Sequence, residues 1–159
     1  MQAAGVVPDV ISYSAAISAC EKGQQWQRAL ELLEAMRAAG ITPDVITYNA
    51  TIRGCGRGQQ WQCALRLCEQ MWSSGVAMDV LTYNATINVC RTCGQWQSAL
   101  DLYEDMSARS VEADATTYSA TISACRDARL RKRALQMMDS LQSSYSHDFQ
   151  ALMEEAVLE

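Results

Sequence analysis

The chain has 159 residues and a formal net charge of −5, from 13 Lys and Arg against 18 Asp and Glu. That sign excludes nucleic-acid binding through bulk positive charge, so any such binding needs basic groups gathered in a groove. No run of about 18 apolar residues is present, so no membrane partner is expected, and seven cysteines, an odd number, argue for reduced thiols over a disulfide framework.

The text of Val10 to Asp44, VISYSAAISACEKGQQWQRALELLEAMRAAGITPD, recurs at Val45 to Asp79 and Val80 to Asp114, and an eroded copy starts at Ala115. Tyr13, Tyr48, Tyr83 and Tyr118 are 35 residues apart. Ile17, Ile52, Ile87 and Ile122 keep the same interval, as do Ala29, Ala64, Ala99 and Ala134. A fixed period without insertions specifies a stack of repeats in which each unit packs on its neighbours. The opening MQAAGVVPD lacks the pattern of a signal peptide and aligns with Met36 to Asp44. Residues 1–9 are therefore expected to be the tail of a truncated upstream repeat, any targeting segment having been lost with it.

In chain order, repeat 1 (10–44) opens with Asp9 as an expected N-cap, its carboxylate accepting from free backbone N–H groups. Tyr13, Ala16, Ile17 and Cys20 then lie at i, i+3, i+4 and i+7, one apolar helix face. Gly23 with Gln24 and Gln25 is expected to form a turn. A second helix is expected from about Trp26 to about Ala38, with Trp26, Ala29, Leu30, Leu33 and Met36 as its apolar face. Gly40 is a C-terminal breaker, and Pro43-Asp44 restarts the cycle. Repeat 2 (45–79) repeats this with Gly58, Trp61 and Gly75, and repeat 3 (80–114) with Gly94 and Trp96. Repeat 4 (115–147) is degenerate: Arg131 replaces Trp, within a basic run of Arg129, Arg131, Lys132 and Arg133. Residues 148–159 carry Phe149, Leu152, Met153, Ala156 and Val157 at helical spacing and are expected to cap the stack.

The first helix of each repeat has a second stripe beside its core face. It holds Ile11, Ser14, Ser18 and Glu21; then Ile46, Asn49, Arg53 and Gly56; then Leu81, Asn84, Asn88 and Arg91; then Thr116, Ser119, Ser123 and Arg126. Stacking aligns these into a ladder with an apolar rung and a short polar rung. A carboxylate (Asp9, Asp44, Asp79 or Asp114) precedes each helix. Ser or Asn with Asp can offer donors and acceptors to a base edge, and the apolar rungs can flank its faces, the parts that a one-base-per-repeat reader needs.

The pattern VxTYNxxIxxC, a Gly-rich turn, xxALxLxxxM, then Gly and Pro-Asp resembles the P-type repeats of the pentatricopeptide repeat family, from Met1 to about Leu141. The Gly-Gln-Gln-Trp-Gln turn is similar to the large arrays of such repeats in dinoflagellate-like algae. The resemblance implies an all-α fold: an α-solenoid, wound as a right-handed superhelix of helix-turn-helix repeats with period 35. It implies a non-catalytic, cofactor-free binder of single-stranded RNA in a mitochondrion or plastid, with other RNA-processing proteins as further partners. It also implies two base-selecting positions per repeat, here Ser14 with Asp44, Asn49 with Asp79, and Asn84 with Asp114. The family's code reads Ser–Asp as G and Asn–Asp as U, so the implied target is 5′-GUU-3′. Ile11, Ile46, Leu81 and Thr116 match the residues that sandwich bases. Lys22 and Arg57 match a basic position near the phosphates, and Arg53 and Arg91 on the stripe are further implied phosphate contacts. Thr92 and Asp127 depart from the basic position, and Phe149 stands where the fourth repeat's Asp belongs, which leaves Ser119 without a coding partner.

Plainer readings stand beside these. The Ser and Asn rungs could be solvated helix positions. The Asp residues should cap helices in any case. The periodic cysteines (Cys20, Cys55, Cys90, Cys125) fit small core positions. Cys90-Arg-Thr-Cys93 has metal-site spacing but neither a second pair nor a nearby His. Trp26, Trp61 and Trp96 fit packing between helices, and the Arg129–Arg133 run fits a solvated face. His147 has no catalytic partner. No nucleophile–base pair, phosphate loop or carboxylate dyad is present, so neither an enzyme nor a small-molecule substrate is expected. The alternative function is a protein-interaction scaffold of tetratricopeptide type. That family's period of 34 and different motif argue against it; the acidic charge argues for it.

Overall fold

A computed structural model describes residues 9–127 without a break, and beyond them residues 130, 132–134, 136, 137, 139, 140 and 143. Residues 1–8, Arg129, Arg131, His147, Phe149 and the expected capping helix 148–159 lie outside the described residues. Within them the structure is all-α: α1 (Val10–Lys22), α2 (Trp26–Ala38), α3 (Val45–Arg57), α4 (Trp61–Ser73), α5 (Val80–Thr92), α6 (Trp96–Ala108) and α7 (Ala115–Asp127). Among the described residues no helix is long and apolar enough to cross a membrane.

The helix starts follow from the Asp column. The carboxylates of Asp9, Asp44 and Asp79 accept from the backbone N–H of Ser12, Thr47 and Thr82, each at 2.8 Å, which satisfies one of the free donors of the first turn. The helix ends follow from left-handed residues. After α1 and α3 the positive φ falls on Gln24 and Gln59, not on Gly23 and Gly58 as the composition of the turn suggests; after α5 it falls on Gly94. The next amide then closes back on the helix, as Gln25 N–H donates to the Cys20 carbonyl at 2.9 Å, the geometry of a Schellman cap.

Gly58 is required by a close approach instead. A Cβ there would stand 2.3 Å from Trp26 Cδ1, so the indole of one repeat packs on the turn of the next. This agrees with the expectation that the tryptophans pack between helices.

The odd-numbered helices stack directly on one another. Each even-numbered helix packs on its own partner and on the next odd-numbered helix, and the even-numbered layer is joined by Arg109, at the end of α6, lying 4.8 Å over the Trp72 ring of α4. The odd helices thus form one continuous layer with an open outer face. Between the layers runs a seam that includes Ile17, Tyr48, Ile52, Cys55, Ala64, Met71, Tyr83, Ile87, Cys90 and Met106, all at or near zero exposure. Burying each large side chain contributes about 1.5–3 kcal/mol. Burial pushes the Cys55 and Cys90 thiols up to about 12, so both act as small apolar groups and not as reactive thiolates.

Candidate nucleic-acid interface

The apolar rungs lie on the open face. Ile11, Ile46 and Leu81 are 76%, 67% and 62% exposed, and Thr116 is exposed as well. Large aliphatic side chains at this exposure, in register every 35 residues, contribute little to the core. They form an apolar ladder along the layer of odd helices.

Between the rungs sit the polar pairs, and the structure joins their members to a different degree in each repeat. In repeat 3 the Asn84 Nδ2 donates to both carboxylate oxygens of Asp114, at 2.9 and 3.1 Å. Its Oδ1 accepts from the Thr117 hydroxyl at 2.5 Å. In repeat 1 the link is indirect: Ser14 Oγ lies 2.7 Å from Thr47 Oγ1, which donates to Asp44 at 2.6 Å. In repeat 2 Thr82 donates to Asp79 through its backbone N–H and its hydroxyl, at 2.8 and 2.6 Å, and the buried Asn49 Oδ1 has no protein partner. Asn49 and Asn84 are only 6% and 8% exposed, so their amides are held by the helix packing.

The carboxylates stay ionised. Burial pushes Asp79 and Asp114 up, but the amide and hydroxyl donors of Thr82 and Thr117, with the Asn side chains, outweigh it and leave both carboxyls below the ordinary range. Donors that favour the charged form lower a carboxyl pKa.

The sequence reading passed over Thr47, Thr82 and Thr117. Each is fully buried and bonds the Asp before its own helix; Thr47 and Thr117 also bond Ser14 and Asn84 of the preceding repeat. The signal was present: a Ser or Thr three residues after every Asp, at the 35-residue interval.

The expected basic groups are differently placed. Arg53 donates through Nε and Nη2 to the Glu21 carboxylate at 3.2 and 3.1 Å. Arg57 bonds the Glu21 backbone carbonyl at 3.1 Å and lies 3.4 Å from its carboxylate. Arg91 donates to the Asn88 side-chain oxygen at 2.9 Å. Lys22 is exposed. Of the basic run in repeat 4, Arg133 pairs with Glu104 on α6. A groove of about 990 Å³ opens beside this cluster, lined by Leu81, Asn84, Thr116 and Ser119 together with Arg53, Arg57, Arg91 and Glu21. Three arginines against one glutamate make this groove cationic in a chain of net charge −5. Among the described residues no cluster of His, Cys, Asp and Glu is arranged to hold a metal.

The PPR repeat family profile matches residues 8–57, 44–92 and 78–127. No curated protein matches the chain. Among solved structures, the pentatricopeptide repeat protein PPR10 in complex with an 18-nt psaJ RNA element is similar, with a TM-score of 0.78 and 27% identity over 89% of this chain and 21% of that one. The pentatricopeptide repeat protein PPR10 from maize gives 0.74 at 21% identity, over 92% of this chain and 21% of that one, a likeness of fold alone. The PPR domain of Arabidopsis thaliana protein-only RNase P 1, in complex with tRNA, gives 0.79 at 14% identity, over 89% and 75%, a likeness of fold alone. The chain spans about a fifth of PPR10. The profile matches overlap from residue 8 to residue 127 and follow the same repeat that places the helices, so the chain belongs to the pentatricopeptide (PPR) repeat family.

Proposed function

We propose that this array binds single-stranded RNA, one nucleotide per repeat, with 5′-GUU-3′ as the selected core, and serves organellar RNA processing or stability. One observation carries the reading most: three large aliphatic side chains stand exposed in register, each three residues before a Ser or Asn of the polar rung on the same helix. A base between Ile46 and Leu81 would cover both, and its edge would meet Asn49 and Asp79. The neighbouring bases would lie between Ile11 and Ile46, against Ser14 and Asp44, and between Leu81 and Thr116, against Asn84 and Asp114. PPR10 and the RNase P domain, both crystallised with RNA, support the partner class.

The chemistry suits single strands. Stacked duplex bases hide both faces, whereas an unstacked base offers two faces and a Watson–Crick edge at once. Capping occupies mainly one oxygen of Asp79, since both Thr82 bonds go to Oδ1. Oδ2 can still receive a base or water donor. Base stacking contributes about 1–3 kcal/mol per base. Three coded repeats therefore offer roughly 3–9 kcal/mol before ordering costs, so the 159-residue chain alone should bind weakly and serve best within a longer array.

The test is fluorescence anisotropy with a GUU-containing RNA, a scrambled RNA and the matching DNA strand, alone and with flanking repeats added. The proposal expects the order GUU RNA, then scrambled RNA, then DNA. Equal, negligible binding to all three with flanking repeats present would refute it and leave the protein-interaction scaffold as the better reading.

A further inference from the structure

We propose that Glu21 is a built-in counter-charge that occupies Arg53 and Arg57 and so limits RNA-backbone binding at the junction of repeats 1 and 2. The inference rests on the proposal that the groove binds RNA. Glu21 lies in the last turn of α1, while both arginines lie on α3 of the next repeat. The glutamate is only 6% exposed, whereas the two arginine side chains are about half exposed. The guanidinium groups therefore reach back across the repeat junction to a carboxylate set into the groove. Arg53 meets it with two nitrogens, and Arg57 adds a bond to the same residue's carbonyl. This is the planar, two-point arrangement by which arginine grips a carboxylate or a phosphate. The carboxylate thus takes the place that a phosphate oxygen pair would need.

The device occurs once in the array. The column of Glu21 continues as Gly56, Arg91 and Arg126, so the later junctions have no carboxylate there. Gly56 cannot simply regain a side chain, since a Cβ would stand 2.4 Å from Val89 Cγ2. Arg91 keeps its full charge, because its partner Asn88 is neutral. RNA affinity gained from phosphates is driven by release of counterions from the nucleic acid as protein cations replace them. A cation already matched by a protein carboxylate contributes little to that exchange. The first junction is thereby weakened relative to the next, and the strand should be held mainly from repeat 2 onward.

The experiment measures Kd for a fluorescein-labelled GUU-containing RNA between about 50 and 200 mM KCl, with thermal melts alongside. It uses the full chain, E21Q, R53Q, the E21Q/R53Q pair and E31Q, an exposed glutamate on α2. E21Q is expected to bind more tightly at the low-salt end and to steepen the slope of log K against log salt by about 0.7 per phosphate newly engaged. With one or two arginines freed, its advantage should then shrink about 3- to 7-fold by the high-salt end. R53Q should cost the native chain less than about two-fold, yet remove much of the gain of E21Q. E31Q should change neither slope nor affinity. E21Q binding no more tightly than the native chain, with an unchanged slope, overturns the inference while leaving RNA binding standing. If E21Q fails to fold, a loss of tenfold or more from R53Q alone overturns it, because Arg53 then reaches the backbone despite Glu21. RNA binding absent from the native chain and every variant overturns the RNA proposal itself, and this inference with it.

Discussion

Ile46 and Ile52 lie on the same helix and have opposite surroundings, which separates recognition from folding. Ile46 is 67% exposed and Ile52 is 0% exposed. Full burial of an isoleucine is worth about 1.5–3 kcal/mol, so the third of Ile46 already covered gives the fold about 0.5–1 kcal/mol at most. Alanine's better helix propensity returns part of this. Ile46→Ala should therefore leave the melting curve nearly in place. A bound base would cover the remaining two thirds, worth about 1–2 kcal/mol, so the same substitution should weaken RNA binding by about 5- to 30-fold. Ile52→Ala should do the reverse: it opens a cavity in the seam and costs about 2–5 kcal/mol of stability. Urea denaturation measures the first quantity and fluorescence anisotropy the second. The reasoning is refuted if Ile46→Ala destabilises by more than about 2 kcal/mol, or if RNA affinity stays within two-fold of the native chain.

Four further outcomes follow from the packing and the charges. Gly58→Ala should destabilise by about 1–3 kcal/mol through overpacking against Trp26, and Trp26→Ala should make the same substitution nearly harmless; equal costs in both backgrounds would contradict the contact. Tyr83→Phe should cost about 1.5–3 kcal/mol, since its hydroxyl donates to the Asp105 carboxylate at 2.6 Å. Tyr48→Phe should be neutral or stabilising in the same denaturation assay, because the Tyr48 hydroxyl is buried without a partner. Asp79 and Asp114 have carboxyls lowered in the fold; their stabilisation is present above the ordinary carboxyl pKa of about 3.9 and is lost as pH falls through the lower folded value. Asn at both positions should flatten the fall in stability between about pH 5 and pH 2; an unchanged pH profile would contradict the assigned charge states.

The helices were legible in the sequence because burial follows local periodicity. Tyr48, Thr51, Ile52 and Cys55 recur with helical spacing and are all buried, and Trp26 and Ala38 bound α2 in the structure as in the sequence reading. The Asp caps were legible for the same reason, since their partners are three residues away. What escaped depends on contacts between distant residues. Glu21 and Arg53 are 32 positions apart, and the reach of a long side chain is set by its tertiary neighbours, not by its place on a stripe. The left-handed Gln24 was hidden behind Gly23, because composition points to the residue that most easily adopts a positive φ, not to the one that must. Gly58 looked like a turn former and is instead a seat for an indole.

The base-substitution series on Asn84→Thr tests the account most directly. A hydroxyl at this position has a precedent in Ser14, which contacts Thr47; the introduced hydroxyl would meet Thr117 in the same way and leave the fold largely intact. RNAs that differ only in the third base of the core are titrated against the native chain and the variant, with flanking repeats added to both. Base selection by the Asn84–Asp114 pair predicts that the preference moves from U toward G at that base and at no other. An unchanged preference, with the variant folded and still binding RNA, would contradict it.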